Sequence, residues 1–578
     1  MPLLKGIPVS PGYAEAIAVV YDYEVHRRLD VPRRDVSPSE IHREYRRLDE
    51  AVEQSRQELE RAEAFARSGS GPGDPAGIFS AHSILVREVA EKVQEHVRQE
   101  QVNVEQALEA VIDDLAGRLG QLKHARFRER EQDVRDVGRR MFRHLTGGPP
   151  WPPESLPAGS AVVARELLPS EAVEVARSGV VAIVAEQGGK NSHTAILARS
   201  FGIPAVTGID RVTVHIQPGM CLLVDGCAGE VLVNPSPSEV ACFSELKREF
   251  DRSATAASAG EALPCMTRDG IGISLLGNIG LPEEVEHVRE HRLGGVGLFR
   301  TEFLFLESRE PPSFQRQLDI YKRVAEALGD RPLVIRTFDL GGDKTPLFLE
   351  SPHAYPHPSL ALRGLRFSLA ERRLLETQLR AIAQVAQASD VRVLFPMVIG
   401  HHDLSRACAA LADVLKDLGL SRRPLLGAMV ETPAALFALE EILEIADFLA
   451  IGTNDLTQYM LALDRDEAEL SEECTPWHPL VLRAIRQVIK AAAAKGRPVC
   501  VCGEEAAEPG FACLLAGLGV RELSLSPGRA ARVRQALRSV RCQNAEELAH
   551  QALGCSSPED VQKLFAGLFP PVQQQTRS

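Results

Sequence analysis

The apolar run Leu425-Leu426-Gly427-Ala428-Met429-Val430 ends directly at the acidic residue Glu431. A short apolar run of this kind predicts a buried strand, here with a carboxylate at its carboxyl end. Eight such strands with intervening helices, spread over roughly 300 residues, predict a closed (β/α)8 barrel, which we assign to residues 265–572. The other seven runs lie at 273–277, 295–299, 332–337, 391–396, 447–451, 498–502 and 521–525.

Charged and polar residues collect where these predicted strands end. Barrel enzymes carry their catalytic groups at the carboxyl ends of the strands, whereas a purely structural barrel needs no crowd of opposite charges there. We therefore predict a catalytic rim. Its members are Asn278, Arg300, Glu302, Arg336, Asp339, Glu431, Asn454, Asp455, Cys502 and Glu504.

Two carboxylates of this rim, Glu431 and Asp455, end successive predicted strands and could supply oxygen ligands to one hard divalent cation. With only two protein ligands the cation keeps open positions for a substrate, which is the habit of Mg²⁺. The alternative is a pair of carboxylates held only in salt bridges. Cys502 faces the same rim and could donate a proton, the alternative being an inert buried cysteine.

Three arginines, Arg300, Arg336 and Arg465, present guanidinium groups that suit a small, highly charged anion. Their planar donor forks match both phosphate and carboxylate oxygens. The alternative role is ion pairing, and the two roles are compatible. The acidic residues available for such pairs are Glu302, Asp339 and Asp464.

A second informative stretch, GGKNSHTAILAR at Gly188–Arg199, follows the apolar run 180–185. Two glycines allow a tight turn, and Asn191 or Ser192 can cap a helix that begins at about His193. An imidazole at a helix N-terminus lies among unpaired backbone N–H groups, which disfavour imidazolium and favour anions. Such a ring suits a neutral nucleophile that carries a phosphoryl group, and the alternative is an ordinary surface histidine.

Strand-rich sequence flanks a helical block in the first part of the chain. Residues 37–146 contain four helical patterns, the first opened by a serine followed by proline. Residues 1–20 predict one or two strands, which we expect to pair with the strands after residue 160. Those later predicted strands lie at 160–165, 180–185, 211–216, 221–225 and 230–233.

This pattern predicts an α/β domain interrupted by a helical insertion. The α/β domain comprises residues 1–21 and 147–235, and the helical insertion comprises residues 22–146. Residues 236–264 predict a linker helix at 236–258 and a flexible linker at 253–264, where serine, alanine and glycine are frequent.

The composition is that of an ordinary globular protein, with 44% hydrophobic and 25% charged residues among 578. The net charge of −13 argues against nucleic acid or an anionic membrane as a partner. We expect neither a signal peptide nor membrane insertion, because the N-terminal pattern and the apolar runs do not fit either. The 11 scattered cysteines, an odd number, predict reduced thiols in a cytoplasm.

Several motifs carry a resemblance to a known family. Gly188–Ile196 has the pattern of a phosphohistidine signature, and Gly6–Gly12 that of an opening strand and loop. Together with six barrel motifs they resemble phosphoenolpyruvate–protein phosphotransferases, the Enzyme I family of the bacterial sugar phosphotransferase system, nearly from end to end. The barrel motifs are Gly297–Leu304, Arg336–Lys344, Phe395–Met397, Glu431–Ala434, Gly452–Tyr459 and Cys502–Glu504.

The resemblance implies that phosphoenolpyruvate gives its phosphoryl group to His193, which passes it to a histidine of the phosphocarrier protein HPr. It implies a swivelling domain that carries His193, a helical insertion that docks HPr, and a barrel that binds phosphoenolpyruvate and Mg²⁺ and forms a homodimer. Glu431 and Asp455 would bind the metal, and Cys502 would protonate the enolate of pyruvate. The substrate would be held by Arg300, Arg336, Asn454, Asp455, Arg465 and Arg363.

Three places differ from the family pattern. Asn191 stands where threonine is usual, and it can still cap a helix. Leu168 replaces a hydroxyl residue that can hydrogen-bond the active imidazole. The segment His357–Arg363 replaces the usual Asn-Pro-x-Leu-Gly-Trp-Arg.

Two other classes of function compete with this interpretation. A dikinase-like enzyme would charge the histidine from ATP, and it would need a large nucleotide-binding region where this chain has helical sequence without a phosphate-cradling loop. A regulatory docking protein would keep the fold without turnover. Only the differences at Leu168 and 357–362 favour that second alternative.

Overall fold

The structure is a computed structural model, and its described residues form two compact units. The first unit ends at Ser253 and the second begins at Ala254. The described ranges are 3–21, 31–66, 75–120, 125–147, 156–157, 159–189, 192–259, 263–306, 308, 310–342, 346, 348–349, 360–463 and 473–567.

A mixed eight-stranded sheet organises the first unit, in the spatial order β1-β8-β7-β3-β4-β5-β6-β2. Small and β-branched side chains such as Ala161, Val163 and Val184 fill its core. The run β3-β4-β5-β6 is parallel, and β4, β5 and β6 are buried on both faces, whereas β3 alternates between buried and exposed residues over its first half. The strands are β1 (Leu3–Lys5), β2 (Ile7–Ser10), β3 (Tyr13–Tyr21), β4 (Ser160–Ala164), β5 (Ala182–Ala185), β6 (Ala205–Thr207), β7 (Cys221–Asp225) and β8 (Glu230–Val233).

The start of the chain pairs with strands beyond residue 160, as the sequence predicted. β3 runs parallel to β4, with Ile17 opposite Ser160, and antiparallel to β7, with Tyr13 opposite Asp225. β1 pairs with β8 and β2 with β6, both antiparallel. The helical block is therefore inserted into one α/β sheet.

The described residues of that insertion form four long helices: α1 (Ile41–Ala66), α2 (Pro75–Glu100), α3 (Val104–Gly120) and α4 (Ala125–Thr146). Their apolar faces share a core that includes the fully buried Leu48, Phe79 and Val93. Ala172 and Leu197 of the α/β part join the same core, so the insertion packs against the sheet domain.

Four further helices follow: α5 (Pro169–Arg177), α6 (His193–Ser200), α7 (Val212–His215) and α8 (Pro237–Ala259). α8 was predicted to end at residue 258, with a flexible linker at 253–264. Residues 253–259 are instead helical, because the alanines that suggested a linker are also strong helix formers.

The predicted strand at 211–216 is wrong, because its centre forms the single helical turn α7. Arg211 has a left-handed φ of 48°, which breaks an extended backbone. Val212 is buried while Val214 is 69% exposed, so the alternation of valines does not mark one face of a sheet. The strand Ala205–Thr207 was missed because it is only three residues long and has glycine and proline nearby.

The second unit contains a closed barrel of eight parallel strands, in the order β10-β11-β12-β13-β14-β15-β16-β9. All eight coincide with the predicted runs to within two residues at either end, so the predicted fold class is confirmed. The strands are β9 (Ser274–Ile279), β10 (Val296–Phe299), β11 (Leu333–Arg336), β12 (Val391–Phe395), β13 (Leu425–Val430), β14 (Phe448–Ile451), β15 (Val499–Val501) and β16 (Glu522–Leu525).

Helices surround this barrel and share one apolar core with it, including the fully buried Phe299, Phe395 and Phe511. Among the described residues, no helix has both the length and the apolar character needed to cross a bilayer. The helices are α9 (Val285–Glu290), α10 (Phe303–Leu306), α11 (Phe314–Leu328), α12 (Gly364–Ala370), α13 (Arg372–Val385), α14 (His401–Asp417), α15 (Pro433–Phe437), α16 (Leu439–Ile445), α17 (Thr453–Leu461), α18 (Pro479–Ala494), α19 (Pro509–Leu518), α20 (Ala530–Ser539), α21 (Cys542–Ala552) and α22 (Pro558–Ala566).

Candidate active site

The barrel brings nearly all of the predicted rim residues to one end, because each of them lies at or just after the carboxyl end of a strand. Arg336 ends β11, Glu431 follows β13, and Cys502 follows β15. Arg465 and residues 464–472, as well as Asp343, Lys344 and the segment 350–359, lie outside the described residues.

An ion pair at the end of β11 orients the first arginine of the rim. Arg336 Nη2 donates a hydrogen bond to Glu302 Oε1 over 3.0 Å, and the same oxygen accepts the backbone N–H of Asp339 at 2.8 Å. Burial alone would lower the pKa of Arg336, but the surrounding carboxylates raise it above its ordinary value. The guanidinium is therefore permanently charged, and its Nε has no hydrogen-bond partner among the described residues.

Arg363 forms a second buried ion pair on the same rim. Its Nη2 lies 2.7 Å from Asp339 Oδ2 and its Nε 3.4 Å from Oδ1 of the same carboxylate. Its Nη1 lies 3.5 Å from both Asp455 Oδ1 and Tyr459 Oη. The sequence did not single out Tyr459, although it follows Asp455 by four residues in α17 and so lies on the same helix face.

Glu431 and Asp455 are both buried, and Arg363 Nη1 pairs with Asp455 over 3.5 Å. Burial and the nearby Asp455 carboxylate raise the pKa of Glu431, while Arg336 acts in the opposite direction. Glu431 Oε2 accepts the backbone N–H of Met397 at 2.7 Å. Met397 has a left-handed φ of 53°, a strained conformation that aims this N–H at the carboxylate.

A magnesium ion fits this pair of residues. Two buried like charges destabilise each other, and a divalent cation between oxygen ligands removes that repulsion. Among the described residues there is no group of three or more histidine, cysteine, aspartate and glutamate side chains that could enclose a metal by itself. A metal at this rim would thus depend on Glu431 and Asp455, with its remaining positions open.

The thiol of Cys502 is buried at the same end of the barrel. Its Sγ lies 3.4 Å from the carbonyl oxygen of Ile451. Burial, and then the negative charge of Glu431, raise the pKa of Cys502 to about 12, while Arg336 and Arg300 act in the opposite direction. The thiol is therefore protonated at neutral pH, and both arginines and Glu431 lie close enough to influence it.

The remaining predicted members of the rim are less buried. Arg300 and Asn454 are half-buried, and Glu504 is exposed. Asn454 Oδ1 accepts the backbone N–H of Glu504 at 3.4 Å, which links the ends of two strands.

A buried polar network supports the rim from below and was not predicted from the sequence. Gln378 Nε2 donates to Thr301 Oγ1 at 3.0 Å and to Tyr321 Oη at 2.9 Å, while its Oε1 accepts the backbone N–H of Phe338 at 3.1 Å. Thr301 Oγ1 in turn donates to the carbonyl of Arg336 at 2.9 Å. A glutamine in the apolar repeat of a helix was the only signal in the sequence.

His193 is the first residue of α6 in the first unit, as predicted. Ser192 is the N-cap, and its Oγ accepts the backbone N–H of Ala195 at 3.3 Å. Thr194 Oγ1 donates to the carbonyl of Leu167 at 2.8 Å, which fixes the first turn of the helix against the segment before α5. Leu168 in that segment is buried, with 2% of its surface exposed.

Three family models of enzymes that use phosphoenolpyruvate match this chain. The model of the N-terminal part matches residues 5–130, that of the mobile domain 156–229, and that of the phosphoenolpyruvate-binding domain 255–542. The eight barrel strands lie within the match to the phosphoenolpyruvate-binding domain, and His193 lies within the match to the mobile domain.

Curated relatives define the family more narrowly. The phosphoenolpyruvate-protein phosphotransferase of Listeria monocytogenes is 33% identical over 97% of this chain and 98% of its own length. The enzymes of the same name from Bacillus subtilis and Haemophilus influenzae are 34% and 32% identical, each over 98% of its own length and over 96% and 97% of this chain. The chain belongs to the phosphoenolpyruvate–protein phosphotransferase family, and it is a phosphotransferase.

Proposed function

We propose that this chain transfers the phosphoryl group of phosphoenolpyruvate to its own His193 and then to a histidine of HPr or an HPr-like carrier, releasing pyruvate. The observation that carries the proposal is the meeting of Arg336, Arg363, Glu431 and Cys502 at one end of the barrel in a chain of this family. These groups together provide anion binding, metal ligands and a proton donor.

The arginines bind and orient the substrate anion. Arg300, Arg336 and Arg363, with Asn454 and Arg465, hold the phosphate and carboxylate groups of phosphoenolpyruvate. The ion pairs with Glu302 and Asp339 fix two of these guanidinium groups before the substrate arrives, so less conformational freedom is lost on binding. Phosphoryl transfer depends chiefly on such positioning and on neutralisation of charge.

Glu431 and Asp455 hold Mg²⁺. A bound ion would supply neutralisation of negative charge at the substrate's oxygens. The backbone N–H of Met397 donates a hydrogen bond to Glu431, which fixes the orientation of this carboxylate.

Cys502 supplies the proton that completes the reaction. When the bond between phosphorus and the bridging oxygen breaks, the electron pair stays on the oxygen of the enolate. Carbon 3 of the enolate then takes the proton of Cys502 Sγ, forming the methyl group of pyruvate, and water later returns a proton to the thiolate. A pKa of about 12 keeps the thiol protonated until the enolate, a strong base, is formed.

His193 receives the phosphoryl group at the N-terminus of α6, where unpaired backbone N–H groups favour an anion. His193 must meet the barrel rim in one step and the carrier in another, which requires the phosphohistidine domain to swing. The helical insertion α1–α4 docks HPr, and the barrel forms the homodimer. The protein acts in the cytoplasm as the first step of the sugar phosphotransferase system.

A labelling experiment tests this proposal. Phosphoenolpyruvate labelled in its phosphate, with Mg²⁺, should give one acid-labile, base-stable phosphoryl group per chain. The label should be absent in His193→Ala and present in the control His215→Ala, which removes an exposed histidine of the same unit. Absence of label on the unaltered chain would contradict the proposal, and label arriving from ATP would assign the chain to the dikinase class.

Transfer onward is a separate measurement. Adding HPr to the labelled protein should move the label to HPr and restore an unlabelled chain. Label that stays on His193 with every HPr tested would remove the carrier from the proposal while leaving the first step intact.

A further inference from the structure

Two side chains hold the main chain at Cys502: Asn278, which is a predicted member of the rim, and Ser524, which was not predicted. Asn278 Nδ2 donates a hydrogen bond to the carbonyl oxygen of Cys502 over 3.1 Å. Ser524 Oγ donates to Asn278 Oδ1 over 2.6 Å, which fixes the orientation of the amide. Ser524 is fully buried and Asn278 is half-buried, so the serine end of this relay is shielded from solvent.

The geometry of the barrel explains why these residues meet. Asn278 is on β9 and Cys502 follows β15, and β16 with Ser524 runs between them. Ser524 stands opposite Leu276 in the register of β16 and β9, so Asn278, two residues further on, points to the same interior face. Inward side chains of alternate strands meet in layers inside such barrels.

The hydrogen bond from Asn278 has a clear physical reason. The regular pairing of β15 with its neighbouring strands β14 and β16 ends at Val501. The carbonyl group of Cys502 therefore lies just beyond the residues that these strands pair. On the other side, the backbone N–H of Cys502 donates to the carbonyl of Ile451 over 3.1 Å. The peptide groups on both sides of the Cys502 Cα are thereby fixed.

Close packing at the next residue adds a further constraint. A Cβ atom on Gly503 would overlap the side-chain oxygen of Thr453, so glycine is required there for the backbone to approach α17. The Cα–Cβ direction of Cys502 is therefore set by contacts from β9, β14, β16 and α17 rather than by the cysteine alone.

We infer that Asn278 and Ser524 are positioning residues for proton donation: they hold the Cys502 thiol against one face of the enolate formed at the rim. The inference rests on the proposed function, in which carbon 3 of the enolate takes the proton of Cys502 Sγ. A donor fixed on one side delivers its proton to one face of carbon 3, whereas a displaced donor leaves the enolate to be protonated from water on either face.

The test follows the configuration of the methyl group. Phosphoenolpyruvate that carries deuterium at one position of carbon 3 is converted in tritiated water by excess protein in a single turnover, and the pyruvate is trapped as lactate. The unaltered chain should give one configuration of the methyl group in large excess. Cys502→Ala supplies the reference for protonation without the thiol.

Asn278→Asp keeps the shape of the side chain but loses the donor to Cys502, and Ser524→Ala removes the hydroxyl that orients it. Both variants should lose most of the configurational excess and slow pyruvate formation by roughly tenfold, with a small change in the KM for phosphoenolpyruvate. Ser55→Ala is the control, because it removes a buried hydroxyl of the helix α1, where Ser55 Oγ donates to the carbonyl of Ala51 over 2.7 Å. It should behave as the unaltered chain.

The outcomes separate the inference from the proposed function. If the unaltered chain forms no pyruvate from phosphoenolpyruvate, the proposed function fails. If it is stereospecific and both folded variants keep the full configurational excess, the inference alone is overturned. Circular dichroism identifies a variant that does not fold. Ser524→Ala removes only one oxygen atom, so the configuration of the methyl group can still be measured in this variant if Asn278→Asp is unstable.

Discussion

Arg363 Nη2 lies 2.7 Å from Oδ2 of Asp339, and both side chains are almost completely buried. A second nitrogen of the same guanidinium lies 3.5 Å from Oδ1 of Asp455. Burial alone would lower the pKa of Arg363, but these two carboxylates raise it well above its ordinary value. One arginine therefore neutralises charge on two acidic side chains at the rim.

Asp339→Asn removes one of these two charges and keeps the shape of the side chain. We expect it to lower the free energy of unfolding of the barrel by roughly 3 kcal/mol, because it leaves part of a buried charge without its partner. The KM for phosphoenolpyruvate should rise, since Arg363 loses the carboxylate that orients it. Urea unfolding followed by the fluorescence of Trp477, in a Trp151→Phe background, measures the first effect.

The matched control is Asp413→Asn, which breaks an ion pair of nearly equal length, 2.8 Å, between Asp413 and Arg372. Both of those side chains are at least half exposed, so the expected cost is about 0.5 kcal/mol or less. Equal effects of the two substitutions would contradict the role assigned to burial.

Gly452→Ala tests the position of the carboxylate of Glu431. A Cβ atom at residue 452 would stand 2.6 Å from Glu431 Oε1 and 2.8 Å from its Cγ, so the side chain must move. We expect the Mg²⁺ concentration that gives half-maximal phosphorylation of His193 to rise about tenfold or more. Gly272→Ala is the control, because nothing lies within 4 Å of the added methyl group. An unchanged Mg²⁺ requirement in Gly452→Ala would argue against Glu431 as a metal ligand.

Gln378→Leu tests the network below the rim. It leaves the backbone N–H of Phe338 without an acceptor and removes two hydrogen bonds, to Thr301 and Tyr321. We expect a loss of about 1–3 kcal/mol in the free energy of unfolding, measured in urea, together with slower phosphoryl transfer because the end of β11 shifts. Gln315→Leu removes an exposed glutamine that donates a hydrogen bond to Asp319, and it should change neither quantity appreciably.

The barrel was predictable from the sequence because each of its strands can be recognised from a few consecutive residues. Most strands, such as Leu425–Val430, are buried along most of their length and are therefore mainly apolar, and the residue that follows each of them lies on the rim by geometry alone. The positions of Glu431 and Cys502 at the rim followed directly. The prediction fails where the partner is distant in sequence, because no local pattern connects them.

Asn278 and Cys502 are such a case, since 224 residues separate them. The signal at Gln378 was ambiguous, because a single glutamine on an apolar helix face is equally compatible with a partly exposed position. The incorrect prediction of a strand at 211–216 came from a local pattern. The alternating valines are typical of a strand, but Arg211 has a left-handed backbone and a helical turn follows it.

Glu171→Gln tests a buried carboxyl group at the start of α5. Its oxygens accept the backbone N–H of Leu168 at 2.9 Å and the hydroxyl of Tyr21 at 3.2 Å. Burial raises the pKa of Glu171 from 4.5 to about 7, with Arg139 acting in the opposite direction. Between these two values the folded chain binds a proton that the unfolded chain has released, so stability falls as the pH rises from about 4.5 to about 7.

The free energy of unfolding lost over this pH range is at most roughly 3 kcal/mol. Glutamine does not titrate, so the Glu171→Gln variant lacks this loss. We therefore expect the stability of Glu171→Gln, relative to the unaltered chain, to increase between pH 5 and pH 8. Hydrogen exchange of the α5 amides, compared between the two proteins at each pH, provides a local measurement. Glu174→Gln on the same helix, where Glu174 forms a half-exposed pair with Arg177, should show no such trend.

Leu168→Thr and Leu168→Val test the residue that stands where the family has a hydroxyl. The two new side chains have nearly the same shape, and both should cost about 1–3 kcal/mol because they shorten a buried leucine. Only threonine adds a hydrogen-bonding group, next to Leu167, whose carbonyl already holds the first turn of α6 through Thr194. If that hydroxyl bonds the imidazole of His193, one hydrogen bond should make phosphorylation in the threonine variant about five- to tenfold faster than in the valine variant.

Rapid quenching with labelled phosphoenolpyruvate measures this difference. A different result is expected if the new hydroxyl does not bond His193. Residue 168 is also the N-cap of α5, so a threonine there could bond a backbone N–H of that helix instead. In that case Leu168→Thr would be more stable than Leu168→Val to thermal unfolding and no faster in phosphorylation. A stable but equally slow threonine variant would therefore show that the hydroxyl caps α5, and that His193 in this chain works without a partner at position 168.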